Sequence, residues 1–275
     1  MKSKTMRKIA VVVGINKYPN SRNNLRGCVN DAKALRRVFL KKFKFDKVIM
    51  LLDRKATYRN VVKNIKGAML DLSDHGHFVF TTSSHGTSIP DRSGDEPDKR
   101  DEAICLYDRL LLDDTFRKLL NHAPVGMKAT IITDCCHSGS ITRSAFDRNF
   151  AGHPEGTIYL KPRYLPPYEN EFALATRSSE VKGKIFGSVI QEKDMNEILI
   201  TGCKSDEYSY DAYFNGKYHG ALTYNMLEIF KKIKGKNITY NEFYEMLRDR
   251  LPNQQYPQTP QLEGNKSNKN SMLFL

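Results

Sequence analysis

Two short apolar runs in this chain each end in a residue able to do covalent chemistry. Ile131-Ile132-Thr133 breaks into Asp134, two cysteines and His137-Ser138-Gly139-Ser140, and Phe78-Val79-Phe80-Thr81-Thr82 breaks into Ser83, Ser84, His85 and Gly86. A thiol becomes a competent nucleophile when a nearby imidazole or helix N-terminus raises its thiolate fraction. If both runs are strands of one parallel sheet, their carboxyl ends can sit side by side, where α/β proteins place their chemistry. That is the layout of a cysteine-nucleophile hydrolase, with either Cys135 or Cys136 as the attacking thiol. The turn after Cys136 reads as a helix entry whose N–H groups could meet a developing oxyanion. Gly86 leaves room beside His85 for a substrate backbone.

The elements that must position these residues alternate along the chain. Lys8 to Ile15 reads as a strand, and Asn30 to Lys42 as a helix with Ala34, Leu35, Val38 and Phe39 at helical spacing. Val48 to Leu52 reads as a strand, Tyr58 to Leu72 as a helix and His77 to Thr82 as a third strand. The Pro-, Gly- and Asp-rich stretch Thr87 to Arg100 reads as loop. Ala103 to Leu106 is a short strand, Asp113 is placed as the cap of a helix to about His122, and Lys128 to Thr133 is the next main strand. The pattern fails from Ala151 to Asp194, which predicts a long irregular insertion at about 151–195. Order returns with a strand at Ile198 to Thr201, helices at about Ala221 to Ile233 and Tyr240 to Leu251, and a terminal strand at Met272 to Leu275. Strands alternating with helices imply right-handed crossovers and a mostly parallel sheet covered on both faces. One α/β domain spanning 1–275 is expected.

Composition narrows the classes. The chain has 275 residues, 40% hydrophobic and 27% charged, which is enough apolar content for a substantial core. No run approaches the roughly 18 apolar residues of a membrane span, so no membrane partner is expected. The basic start, Met1 to Lys8, leads into an apolar stretch that meets Asn16-Lys17-Tyr18-Pro19 with no small-residue cleavage site. It reads as a first buried strand and not as a signal sequence. Five cysteines, an odd and irregularly spaced set, fit free thiols and a cytoplasmic location. They lack zinc-ligand spacing. Lys and Arg outnumber Asp and Glu 44 to 31, giving +13. The cations are scattered in ones and twos, as in Arg36-Arg37 and Lys41-Lys42, so the charge reads as a solvated surface and not as a nucleic-acid interface. His75, His77, His122 and His219 read as packing or surface residues.

Caspases place the catalytic histidine about 50 residues before the cysteine, and here His85 precedes Cys136 by 51. Ser-Ser-His-Gly, then Gly94-Asp95-Glu96 and Asp101-Glu102, then Asp-Cys-Cys-His-Ser-Gly, resembles the metacaspase branch of the caspase-like cysteine peptidases. Val13 to Tyr18, Leu25 to Ala32 and Gln258 to Leu262 extend the resemblance over nearly the whole chain apart from the insertion. It implies a three-layer α/β/α sandwich around a mostly parallel, six-strand caspase-like sheet, and hydrolysis of peptide bonds after Arg or Lys. Position by position, it makes His85 the general acid/base and Cys136, immediately before His-Ser-Gly, the nucleophile. Cys135 is left as a small buried thiol pointing the other way. It assigns Asp31 and Asp134 to the primary specificity pocket, with Ser83 adding a hydroxyl, and paired carboxylates do suit a guanidinium leaving water. It implies calcium bound by Asp101, Asp113 and Asp114, with no organic cofactor. Arg143 stands where a further aspartate is expected, a departure that bears on the metal. The resemblance also implies a monomer. Self-processing is expected at Arg177, Lys182 or Lys184 in the insertion. The competing reading is a catalytically silent caspase-like scaffold that binds partners.

Overall fold

The computed structural model of the chain describes residues 6–72, 75–90, 100–136, 160–166, 192–233 and 236–275. Six strands build the central sheet: β1 (Lys8–Gly14), β2 (Lys47–Leu52), β3 (His77–Ser83), β7 (Lys128–Asp134), β9 (Glu197–Thr201) and β12 (Gln261–Glu263). Their spatial order is β12-β9-β7-β3-β1-β2. All neighbours are parallel except β12, which runs antiparallel to β9. Alternate residues of each central strand feed opposite faces. Ala10, Val12, Val79, Ile132 and Ile200 pack on one side with helix α1 (Cys28–Lys41) and two later helices, α4 (Ala221–Lys232) and α5 (Tyr240–Arg248). Ile9, Val11, Val13, Phe78, Phe80 and Ile131 pack on the other with α2 (Tyr58–Leu72) and α3 (Asp113–Asn121). The expected three-layer α/β/α architecture is the observed one.

Four local expectations change. The polar stretch after Gly86 is not all loop: β4 (Gly86–Pro90) pairs antiparallel with β5 (Arg100–Cys105), which pairs with β6 (Leu110–Leu112). Thr87 is fully buried and donates its hydroxyl to the Leu165 carbonyl at 2.6 Å. A strand whose polar side chains are satisfied in this way carries no apolar signal. The helix cap is Leu112, with Asp113 the first residue inside α3. Within the stretch read as irregular, Leu160–Pro162 form strand β8, paired antiparallel with β10 (Tyr210–Phe214) and thereby joined to β11 (Lys217–Gly220). The chain end forms no regular strand. Phe274 has φ 58°, which breaks an extended run, and its buried ring sits edge-on to Phe39, Phe43 and Tyr240.

His77 is a core residue, as its bland reading expects. Its Nε2 lies 2.9 Å from the Thr130 hydroxyl, which in turn lies 2.5 Å from the Tyr240 hydroxyl. Burial first, then the Lys128 and Lys8 charges, lower its pKa to about 3. His85 is lowered to about 3 as well. The unfolded chain binds a proton at each below about 6.5, whereas the folded chain refuses both until about pH 3. Stability from these two groups is therefore full above pH 6.5 and falls as the pH drops through that window. Lowering the pH from 7 to 5 is expected to cost on the order of 4 kcal/mol at most. Urea midpoints at the two pH values check it, and equal midpoints would contradict it.

Candidate active site

Parallel pairing in register sets Ser83 opposite Asp134 on β3 and β7. Two residues further along each strand, just past the last registered pair at the carboxyl edge, come His85 and Cys136. Both side chains are buried, with His85 1% exposed and Cys136 fully enclosed. The His85 main-chain N–H donates to the Tyr18 hydroxyl at 3.0 Å, and the two rings lie 5.3 Å apart. Its Nε2 lies 2.8 Å from the main-chain oxygen of Asn23, presented by the short turn Ser21–Asn23 that Asn20 caps. A carbonyl can only accept, so Nε2 carries the proton and Nδ1 the lone pair. Nδ1 is buried with no hydrogen-bond partner among the described residues. Burial first, then the Lys161 and Arg163 cations, outweigh the Asn23 and Arg163 main-chain groups and hold the ring neutral.

Cys136 and Cys135 face opposite sides of the sheet, as the strand alternation requires. The Cys136 sulfur accepts from the Ser209 main-chain N–H at 2.6 Å and donates to the Ser209 carbonyl at 3.2 Å. Burial above all, then the neighbouring Cys136 and Asp134, pushes the Cys135 thiol well above its usual range. It stays protonated.

A residue absent from the expected site stands at its centre. The side chain of Arg163, directly after β8, is fully buried among the acids. Its Nη2 lies 2.8 Å from Asp31 and 2.9 Å from Asp211, and its Nη1 lies 3.3 Å from Asp134 and 2.6 Å from the Ser83 hydroxyl. Three of these four partners, Asp31, Asp134 and Ser83, are those the sequence assigned to a cation pocket. Asp211 was missed, because nothing in Tyr210-Asp211-Ala212 marks it before β10 is paired.

Each acid is held from behind. Asp31, in the first turn of α1, also accepts from Ser83 at 2.6 Å, His219 Nδ1 at 2.7 Å and the Gly220 N–H at 3.0 Å. Asp134 accepts from the Thr223 N–H at 2.9 Å and hydroxyl at 2.7 Å, so it caps the start of α4, and from Ser209 Oγ at 2.7 Å. Asp211 accepts from the main-chain N–H groups of Arg26 and Gly27 at 2.8 and 2.9 Å. Burial raises the Asp31 pKa, but Arg163, His219 and Ser83 outweigh it and hold the carboxyl below its usual value. At Asp211 burial wins and the pKa is raised. Burial alone would lower the Arg163 pKa, yet its anionic neighbours hold it well above its usual range.

Gly220 forms the wall of this pocket. A Cβ there would strike the Asp134 carboxylate and the Arg163 guanidinium. Gly220→Ala is expected to expel the cation and destabilise the fold by about 3–5 kcal/mol, the cost of breaking a buried charge network. A fall in urea midpoint checks this, and an unchanged midpoint would place the guanidinium elsewhere.

The backbone around Arg163 is held as tightly as its side chain. Its carbonyl oxygen accepts from the N–H groups of Gly86 at 2.9 Å and Cys136 at 3.2 Å, and its own N–H donates to Ser209 at 2.9 Å. Upstream, Pro162, Lys161 and Leu160 pair with Tyr210, Asp211 and Ala212. The Lys161 ammonium reaches the carbonyls of Arg22 at 3.1 Å and Asn24 at 2.8 Å. Downstream, Tyr164 bridges Gly86, and Leu165 donates its N–H to the Gly86 carbonyl at 2.9 Å. Tyr18, Asn23, Ser209 and Thr87 complete the surroundings, and the last three, as backbone donors, acceptors or lone hydroxyls, leave no motif.

The described aspartates assigned to calcium, Asp101 and Asp113, are not among the acids paired with Arg163. Asp101 is buried on β5 and Asp113 opens α3, while the Asp114 side chain, Arg143, Arg177, Lys182 and Lys184 lie outside the described residues. Among the described residues no three carboxylate, imidazole or thiol groups gather to hold a metal ion.

Residues 7–271 match the family model of the caspase domain. The chain is 29% identical to Metacaspase-9 of Arabidopsis thaliana over 98% of this chain and 97% of that protein. It is 26% identical to Metacaspase-1 of Scheffersomyces stipitis over 98% of this chain and 73% of that one. With Metacaspase-4 of Arabidopsis thaliana it shares 38% identity over 51% of this chain, which spans about a third (35%) of that protein. The crystal structure of protein GSU0716 from Geobacter sulfurreducens superimposes with a TM-score of 0.73, at 25% identity and 98% coverage of both chains.

Proposed function

We propose that this chain, a cysteine peptidase belonging to the metacaspase branch of the caspase-domain family, cleaves peptide bonds after Arg or Lys. In this reading Cys136 is the nucleophile and His85 the acid/base. One observation carries it: the chain's own Arg163 lies with its guanidinium among three carboxylates while its carbonyl oxygen accepts from two N–H groups, one of them that of Cys136. That is how an arginine substrate would be held at the moment of attack. Family membership makes the chain a peptidase and not a silent scaffold.

The chemistry follows from the neighbours. His85 Nδ1 takes the thiol proton, and Cys136 Sγ attacks the arginine's own carbonyl carbon. The resulting oxyanion stays between the Gly86 and Cys136 N–H groups, donors that are already oriented and need no reorganisation. Collapse of the tetrahedral centre breaks the C–N bond, and the imidazolium returns its proton to the departing amine. Water, deprotonated by His85, then hydrolyses the thioester and restores the thiol. Asn23 keeps the ring in the tautomer this requires. Three carboxylates demand a cation at the residue before the cut, and a planar fork whose two terminal nitrogens reach all three acids favours Arg over Lys.

Self-processing belongs to the same reading, and among the described residues the bond placed for it is Arg163–Tyr164. Cleavage of Arg- and Lys-terminated fluorogenic peptides tests the whole. Cys136→Ala is expected to lower turnover roughly 10⁴–10⁶-fold, and equal turnover by both proteins would sink it.

Among the described residues no acids gather to hold calcium, and each step above is assigned to the chain's own residues. Titration of peptide hydrolysis against calcium, with a chelator control, is the check on the calcium expectation. The five free, buried thiols support a reducing, cytoplasmic setting. No described helix is long and apolar enough to cross a membrane. A monomer is supported by β12, a three-residue edge strand that ends in Glu263, since short charged edges resist pairing.

A further inference from the structure

We propose that this peptidase also selects substrates on the leaving-group side of the scissile bond. It favours an aromatic residue immediately after the cut and an aliphatic one next, with Tyr208 as the determinant of the aromatic preference. The proposal rests on the functional reading above and deepens it. Its ground is the chain's own segment, which continues through the site instead of ending at Arg163.

Tyr164 is 5% exposed and Leu165 4% exposed, both more enclosed than the half-buried Leu160 and Lys161 upstream. The Tyr164 ring lies 6.0 Å from that of Tyr208, tilted by 48°, in the same apolar cluster as Cys136 and Cys203. Tyr208 in turn stands edge-on to Tyr210, 6.5 Å away. Leu165 falls on the opposite side, in the cluster of Tyr18, Ile89 and Cys135. The backbone between them is fixed at both ends: Leu165 N–H donates to Gly86, and the Leu165 carbonyl accepts the Thr87 hydroxyl at 2.6 Å. Two apolar pockets of opposite facing, joined by a hydrogen-bonded strand, read successive side chains, because neighbours on an extended chain point opposite ways. An acidic or very small residue after the cut would leave the first pocket unfilled or bury an unpaired charge.

Internally quenched peptides that share Leu-Lys-Pro-Arg and continue as Tyr-Leu or Asp-Gly test this. They are to be assayed with the wild-type protein and with Arg163→Gln, whose own segment no longer supplies the pocket cation. The Tyr-Leu peptide is expected to have a kcat/KM about ten- to a hundredfold higher, the effect of filling an apolar pocket. Tyr208→Ala is expected to shrink that ratio to about two- or threefold, and Tyr208→Phe to keep it. A wild-type ratio near one, or a ratio that Tyr208→Ala leaves unchanged, overturns the proposal while cleavage after Arg stands. If neither peptide is cut after Arg, the reading of the function falls and takes this one with it.

Discussion

Arg163→Gln is expected to stop cleavage at the Arg163–Tyr164 bond and to raise the initial rate on added arginine peptides roughly 10–100-fold. The wild-type pocket holds its own guanidinium against Asp31, Asp134 and Asp211, with the flanking strand paired to β10. A tethered competitor of this kind acts at an effective concentration on the order of millimolar. A free peptide with a dissociation constant of about 10–100 μM must outcompete it, which accounts for the expected factor. Glutamine keeps much of the side chain's length but brings no charge, so it forfeits the ion pairs. The three acids then stay hydrated until a substrate arrives. Mass measurement of the fragments, looking for a new N-terminus at Tyr164, reads the first half of the prediction. Initial rates on an Arg-terminated fluorogenic peptide read the second. An Arg163→Gln protein that still cuts there, or that gains nothing against peptides, would show that the segment does not compete for the site.

The second large effect separates the acids. Asp31→Asn is expected to lower kcat/KM for arginine peptides about 10²–10³-fold, against roughly tenfold for Asp211→Asn. The difference lies in how each carboxylate is held. Asp31 gathers donors from Ser83, His219 and Gly220 besides Arg163, and its pKa is lowered despite complete burial. Loss of its charge removes several charge-assisted bonds, each worth about 1.5–3 kcal/mol. Asp211 has its pKa raised, so its environment already resists the anion and less is lost when the charge goes. Peptides with citrulline in place of arginine keep the shape without the charge, and their turnover should distinguish the variants far less. Equal losses for the two variants would mean that the hydrogen bonds behind Asp31 do not matter to binding.

The strands that carry the chemistry were legible because buried parallel strands are continuous apolar runs. Ile131-Ile132-Thr133 and Phe78-Val79-Phe80 lie where they were read, and their registered pairing turns a sequence spacing into spatial adjacency. Strand β4 was not legible. Its Thr87 looks solvated in sequence and is instead satisfied by a carbonyl 78 residues away. The terminal residues misled in the opposite sense: an apolar end suggested a strand, whereas Phe274 turns at positive φ to fill a core that six other rings share. Asn23 could not have been found at all, since it acts through a main-chain oxygen that every residue possesses.

By itself, the sequence determined the parallel α/β frame, and its resemblance brought forward His85 and Cys136 as the expected dyad and Asp31, Asp134 and Ser83 as three of the groups that prove to surround Arg163. Those features rest on local apolar patterning and on several short motifs, each legible within a few positions. Tertiary structure alone decided that Asp211 completes the pocket, that Asn23 sets the tautomer of His85, and that Arg163 occupies the site. Each of these depends on contacts between residues 48 to 185 positions apart, formed when β8 pairs with β10 and the β10–β11 arm closes over α1. Such contacts leave no local signature, because the partners are ordinary residues until the chain brings them together.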